Sequence, residues 1–302
     1  MIKGPVCILA NAGSGKKAAA QIRALVQPFR DAGLDPEIRL IRKGARLPAE
    51  ATRAATGGFG TVIAAGGDGT ICAVAGALAG TGTALGIVPM GTFNFFARSL
   101  GLPNDPIAAI AVLLSGTEQK VSAAEVNGQL FLNNASMGLY PALLERREAA
   151  YAKWGRSRMT AYWSALRTLV TYDRPSRLRI TIDGRTDHRR SPMVFVAQNA
   201  YQLEQYGMQD GVDLIRQGKL AVYIAPELRR WQLLGFAIRM ALRTARPYRD
   251  FMLESGEEME IETRSPRRTI ARDGEREKMR APFRFRVLKD TLTVIVPSDN
   301  GG

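Results

Sequence analysis

Short apolar runs alternate with helix-spaced apolar positions along the first third of the chain, and each block predicts one element. Residues 6–10 form an apolar run ending at Asn11-Ala-Gly-Ser-Gly15, the signature of a buried strand leading into a glycine-rich turn. Ile22, Leu25, Val26 and Phe29 then recur on one helical face. Residues 37–41 predict a second strand and 61–65 a third, fully buried one. A helix follows over 71–79, a fourth strand over 84–88, the start of another helix over 93–100, and an apolar helix over 106–114. Repeated βα units of this kind build a parallel sheet with helices on both faces.

Near Thr117 the rhythm changes to period two. Residues 120–126 and 130–134 read as strands joined by Asn127-Gly128, a strong hairpin signal. Strands are expected over 177–182 and 193–198, with Asp183-Gly184 at a turn, and again over 219–224, 251–253, 259–263, 283–287 and 291–296. Helical insertions are expected over 142–172 and 228–243. The fold class is therefore an α/β N-terminal domain with a parallel sheet, residues 1–118, followed by a β-rich sandwich or flattened barrel with helical insertions, residues 119–302.

Composition narrows this picture only a little. The 302 residues are 46% hydrophobic and 23% charged, which suits a globular chain and argues against extensive disorder. Cys7 and Cys72 are too few for a disulfide framework and lack zinc-site spacing, so buried, reduced thiols in a cytoplasmic protein are expected. No charged residue occurs between Gly69 and Ala97, but Pro89, Asn94 and several glycines interrupt that stretch. It reads as strand, helix and strand rather than as a membrane span. Forty-two Lys and Arg against twenty-eight Asp and Glu leave a net charge of +14, a surface that attracts anions. His188, between Asp187 and Arg189, reads as a solvated histidine in a charged turn.

Two glycine-rich turns follow predicted strands, and in an open parallel sheet both fall at the carboxyl edge where ligands bind. A turn of this kind lets backbone N–H groups approach a phosphate. Asn11-Ala-Gly-Ser14-Gly-Lys16 lacks the spacing of a P-loop. Gly66-Gly67-Asp68-Gly69-Thr70 is the more specific of the two, because an Asp between glycines at a strand end suits neither strand nor helix. Its plainer reading is a tight turn, with Thr70 starting the next helix.

Val62-Ile-Ala-Ala-Gly-Gly-Asp-Gly-Thr70, Leu85-Gly-Ile-Val-Pro-Met-Gly91-Thr92-Phe-Asn94-Phe-Phe-Ala-Arg98 and Ala271-Arg-Asp273-Gly274-Glu275 together resemble the diacylglycerol kinase catalytic-domain family. The first motif is shared with NAD kinases, whereas the second marks the lipid branch. The resemblance implies a lipid kinase that moves the γ-phosphoryl of ATP, with Mg²⁺, onto the hydroxyl of diacylglycerol or a related long-chain alcohol. It assigns the nucleotide to Asn11, Ser14, Gly66, Gly67, Gly69, Thr70, Gly91, Thr92 and Asn94, with Asp68 beside its metal. Glu275 matches the general base, with Asp273 in support.

Two positions depart from the family pattern. Phe95 stands where many members have Asp, and Gln217-Gly218-Lys219-Leu220 replaces an Asp-Gly-x-Leu segment. The resemblance then implies that an accessory Mg²⁺ site is lost or replaced, Lys219 being a candidate cation. An NAD kinase-like enzyme and a nucleotide- or lipid-binding member with weak or lost turnover are the alternatives. The expected partners are a nucleotide and a lipid at an anionic membrane surface, reached from the cytoplasmic side, and no nucleic acid. Basic and aromatic residues interleave over 145–172, among them Arg146, Lys153, Trp154, Arg158 and Trp163, and again over 229–239. Both stretches are candidates for contact with lipid headgroups.

Overall fold

Strand β1, Val6–Asn11, buries five of its six residues, the pattern of a parallel strand covered on both faces. The computed structural model describes residues 2, 4–11, 25–145, 175–227, 232, 235 and 251–298. The chain divides into two units, Met1–Ala123 with Leu288–Gly302, and Ala124–Val287.

In the first unit β1 is followed by α1 (Gln27–Asp31), β2 (Glu37–Ile41), α2 (Leu47–Thr56), β3 (Thr61–Gly66), α3 (Asp68–Leu78), β4 (Ala84–Pro89), α4 (Phe95–Ser99) and α5 (Pro106–Ser115). Strand β5 (Thr117–Val126) carries the chain into the second unit, and the last strand, β16 (Phe283–Val296), brings it back. The first-unit sheet runs β2-β1-β3-β4-β16, every pair parallel. Strand order reverses between β1 and β3, and a crevice opens at the carboxyl ends of such a pair. The apolar periodicity places Val6, Ile8, Phe29, Ile63, Val88, Ile110 and Leu113 in one core. Helix α5 starts where Asp105 accepts a hydrogen bond from the Ala108 N–H at 2.8 Å, with Pro106 in the first turn.

The second unit is a β-sandwich. One antiparallel sheet runs β12 (Met252–Gly256), β11 (Leu220–Ile224), β10 (Met193–Ala197), β7 (Asn134–Gly138), β14 (Arg267–Arg272) and β15 (Glu275–Arg280). Facing it are the first residues of β16 with β13 (Glu258–Thr263), β8 (Ser176–Ile182) and β9 (Arg185–Ser191). A hairpin joins β5 to β6 (Gln129–Phe131) through Asn127 and Gly128, both at positive φ as a tight two-residue turn requires. Phe131, Met137, Ile180, Val222, Ile261 and Phe283 meet between the sheets. On the outer side of β10 and β11, helices α6 (Ala200–Gln205) and α7 (Gln209–Arg216) pack Leu203, Met208 and Val212 against Tyr223 and Phe251.

Three expectations need correction. His188 lies in strand β9, paired with Arg179, and not in a turn; backbone pairing with β8 makes a strand of a sequence with no apolar alternation. Residues 130–134 do not form one strand, because the chain breaks between β6 and β7 at Leu132 and Asn133. Residues 283–287 and 291–296 are parts of one continuous strand, β16. The helical insertions expected over 142–172 and 228–243 fall almost wholly outside the described residues, and the basic-aromatic stretches lie within them. Among the described residues no helix is long and apolar enough to cross a membrane.

Candidate active site

Strand β3 ends at buried Gly66, and α3 begins two residues later with Gly67 at its N-cap. Gly67 has no side chain with which to cap that helix, so the first-turn N–H groups of Asp68, Gly69 and Thr70 face the carboxyl edge of the sheet. Such a helix start is an anion site by geometry and by dipole. Thr70 is buried, and its side chain fills the space that a Cβ on Gly66 would need, 2.6 Å away. Asn11, at the end of β1, donates from Nδ2 to Thr70 Oγ1 at 3.4 Å. The structure therefore brings the ends of β1 and β3 together at the point where strand order reverses.

The second glycine turn packs directly on the first. A Cβ on Gly91 would lie 2.7 Å from Gly67 Cα and 2.7 Å from Asn94 Oδ1, so only glycine permits the approach. Met90 N–H donates to the Gly66 carbonyl at 2.8 Å. Asn94 is buried and left-handed, with φ 51°. Its amide accepts from Gly91 N–H at 3.0 Å and donates to Gly91 O at 3.1 Å and to Asn104 Oδ1 at 3.4 Å. Asn94 thus folds the turn on itself. The Asp68 carboxylate accepts from the Phe96 N–H, in the first turn of α4, at 3.4 Å, which ties α3 to α4. Gly91 and Thr92 are exposed on the surface of this cluster. Ser14 lies outside the described residues.

In the second unit, Asp273 (φ 47°) and Gly274 (φ 87°) form the turn between β14 and β15. Asp273 is not a solvated acid. Its carboxylate accepts hydrogen bonds from the backbone N–H groups of Leu132 at 2.7 Å, Asn133 at 2.8 Å and Asn134 at 3.0 Å. Its own N–H donates to Asn134 O at 2.9 Å. These bonds take the donors that a continuous strand over 130–134 would have used. A buried amide network extends the clasp: Asn134 Nδ2 donates to Gln202 Oε1 at 2.9 Å, and Asn199 Nδ2 to Asn133 Oδ1 at 2.7 Å. Asn199 also caps α6 by accepting from the Gln202 N–H at 3.1 Å. Glu275 follows the turn directly and is exposed. The amides at 133, 134, 199 and 202 were not singled out in the sequence. The Asn133-Asn134 pair inside an apolar run was the available signal.

The description of residues 5–126 as a diacylglycerol kinase catalytic domain by a family model spans both glycine turns. Over that stretch the chain resembles the diacylglycerol kinase catalytic domain. A Pseudomonas aeruginosa protein named probable lipid kinase YegS-like is 43% identical over 127 residues, covering 41% of this chain and 42% of the relative. Its namesake from Pseudomonas putida is 35% identical over 130 residues, covering 41% and 43%. A Staphylococcus aureus protein named diacylglycerol kinase is 43% identical over 54 residues, covering 18% and 17%. The chain matches less than half the length of each of these relatives. The crystal structure of a diacylglycerol kinase from Bacillus anthracis str. Sterne shares the fold, with a TM-score of 0.70 at 21% identity over 97% of this chain and 96% of that one.

At the two positions that depart from the diacylglycerol kinase pattern, the local structure is built from other contacts. Phe95 stacks on Phe93, with ring centroids 5.5 Å apart and planes 4° apart. Gln217 ends α7, its N–H donating to Asp213 O at 3.1 Å ahead of Gly218 at φ 79°. Among the described residues no three His, Cys, Asp or Glu side chains cluster as metal ligands do. Two grooves, of about 740 and 450 Å³, lie on the outer face of the second unit, and neither is lined by Asp273 or Glu275.

Proposed function

We propose that the chain is an ATP-dependent lipid kinase whose first unit holds the nucleotide and whose second unit supplies the base that activates a lipid hydroxyl. The observation that carries this reading is the packing of the Gly91–Asn94 turn on the Gly67 N-cap of α3. It leaves a run of helix N-terminal N–H groups at the β1/β3 edge, inside the region of the catalytic-domain match. These donors fit a polyphosphate. Asn11, Gly66, Gly67, Gly69, Thr70, Gly91, Thr92 and Asn94 would form the nucleotide pocket, and Ser14, outside the described residues, is assigned to it by sequence resemblance. A carboxylate beside polyphosphate needs a bridging cation, and Asp68 suits the Mg²⁺ that accompanies ATP. When bound, ATP supplies the phosphoryl group and its metal neutralises charge.

Glu275 is proposed as the general base. One of its carboxylate oxygens would take the proton of the acceptor hydroxyl as the hydroxyl oxygen attacks the γ-phosphorus of ATP, the bond from that phosphorus to the β,γ-bridging oxygen breaks and ADP leaves; the proton is then released to water. Asp273 does not share this work: its oxygens are engaged by three backbone N–H groups, so it fixes the turn that carries Glu275. Similarity to a Pseudomonas aeruginosa protein named as a probable lipid kinase supports a lipid acceptor, and diacylglycerol is the proposed one.

Incubation with Mg-ATP and with diacylglycerol and NAD side by side tests the reading. Phosphatidate is the expected product. NADP without phosphatidate would replace the lipid kinase by an NAD kinase-like enzyme, and ATP binding with no product would leave a binding protein.

A further inference from the structure

The smaller groove of the second unit lies on β8, β9 and β13 and has a volume of about 450 Å³. Five arginines line it, Arg177, Arg179, Arg189, Arg190 and Arg264, with His188 and a single carboxylate, Glu262. Register explains the concentration of charge. Leu178 and Ile180 alternate into the core, so Arg177 and Arg179 face outward. Arg177 pairs with Arg190 across the β8/β9 ladder and Arg179 with His188, and residues directly opposite in an antiparallel pair share a face.

Part of this charge is answered within the protein. Arg179 lies 3.1 Å from Glu262 and Arg190 lies 3.2 Å from Glu227, while Arg189 meets Asp187. Arg177 and Arg264 have no carboxylate partner among the described residues. Arginine directly opposite arginine, as at 177 and 190, opposes strand pairing. Glu227 answers Arg190, so Arg177 and Arg264 are the charges left for an external anion to meet.

We infer that this groove docks the protein on an anionic bilayer by engaging the phosphates of lipid headgroups. The choice of a bilayer rests on the lipid-kinase reading, which requires an acceptor embedded in one. The side chains of Arg179 and Arg190 are 51% and 50% exposed, so their heads can reach a surface but do not enclose a small ligand. No Phe, Tyr or Trp lines the groove to stack a base, which disfavours single-stranded nucleic acid. Surface ion pairs such as Arg179–Glu262 are weak enough to be exchanged for phosphate contacts.

The test is sedimentation of the full chain, without ATP, with phosphatidylcholine vesicles that do or do not contain phosphatidylglycerol. Arg177→Ala/Arg264→Ala is compared with Arg46→Ala/Arg53→Ala, which removes the same charge from exposed arginines of the first unit. The groove variant should lower partition onto the anionic vesicles by about twenty-five-fold, because each basic residue near such a surface counts about fivefold. The comparison variant should stay within about twofold of the parent, since the inference assigns the bilayer contact to the groove arginines. Equal losses in both variants, no loss in the groove variant, or equal binding to neutral vesicles would each overturn the inference. So would loss of DNA binding with vesicle binding intact, which would make nucleic acid the partner. If the alanine variant melts early, Arg177→Lys/Arg264→Lys keeps the charge and should bind as the parent does; failure there also overturns it. Vesicle binding needs no turnover. A groove variant that loses binding while the parent phosphorylates no lipid sustains the surface and removes the kinase, and the converse result does the opposite.

Discussion

The carboxylate of Asp273 accepts a hydrogen bond from the backbone N–H of Asn133 at 2.8 Å, across 140 positions of sequence. With the neighbouring bonds from Leu132 and Asn134 it closes a clasp on which the β14/β15 turn depends. Asp273→Ala leaves three part-buried donors unanswered and should cost about 3 kcal/mol of folding stability. Asp273→Asn, which keeps an acceptor oxygen, should cost about half of that. Urea unfolding measures both, and a cost below about 1 kcal/mol for alanine would dissolve the clasp.

Glu275 is exposed and lies outside that clasp, so Glu275→Gln should leave the unfolding midpoint and ATP affinity unchanged. Phosphorylation of diacylglycerol should fall by about a thousandfold, the scale of a lost general base. Unchanged turnover would remove Glu275 from the chemistry.

Gly91 and Gly67 touch through their backbones, but unequally in the room they leave. A Cβ on Gly91 would meet atoms at 2.7 Å, whereas one on Gly67 finds its nearest neighbour at 3.2 Å. Gly91→Ala should therefore destabilise by about 2 kcal/mol and Gly67→Ala by less. Both should weaken ATP binding, measured by calorimetry. The reverse order of stabilities would mean that the two turns do not meet as described.

Ser136 is buried in β7, and its hydroxyl has no hydrogen-bond partner among the described residues. Ser136→Ala removes that uncompensated group and should stabilise the fold by about 1 kcal/mol. Destabilisation by a similar amount would reveal a partner for the hydroxyl.

Burial raises the Cys7 thiol from 9.0 to about 11, with Arg39 opposing and Glu37 and Glu50 assisting. The folded state thus keeps a proton that the unfolded state has lost between these values. That stabilisation is complete below pH 9 and disappears as pH rises through 11. Cys7→Ala should lose stability less steeply than the parent between pH 9 and 11. The same slope in both proteins would place the effect elsewhere.

Much of the first unit was legible because buried parallel strands read as continuous apolar runs, as in Thr61–Gly66 and Ala84–Pro89. The second unit was harder. Strands β9 and β15 have the sequences RTDHRRS and EREKMR; they are strands because a hairpin partner takes their backbone groups, not because one face is apolar. The break after Phe131 is set by Asp273, too distant for any local pattern to register. The glycine turns announced themselves by composition, but the Asp68–Phe96 bond and the left-handed Asn94 depend on how α4 is laid against α3. That is a tertiary fact.

Strand β16 contributes Thr293 and Val294 to the parallel sheet beside β4, opposite Ala84 and Leu85. During synthesis β4 must therefore wait for more than two hundred further residues before its outer edge is covered. A nascent chain holding only the region matched by the family model would present that edge bare, and an uncovered strand edge invites pairing with another chain. The ribosome thus completes the sandwich before it can complete the parallel sheet. A fragment ending near residue 126 is expected to aggregate unless residues 288–298 are spliced back beside β4.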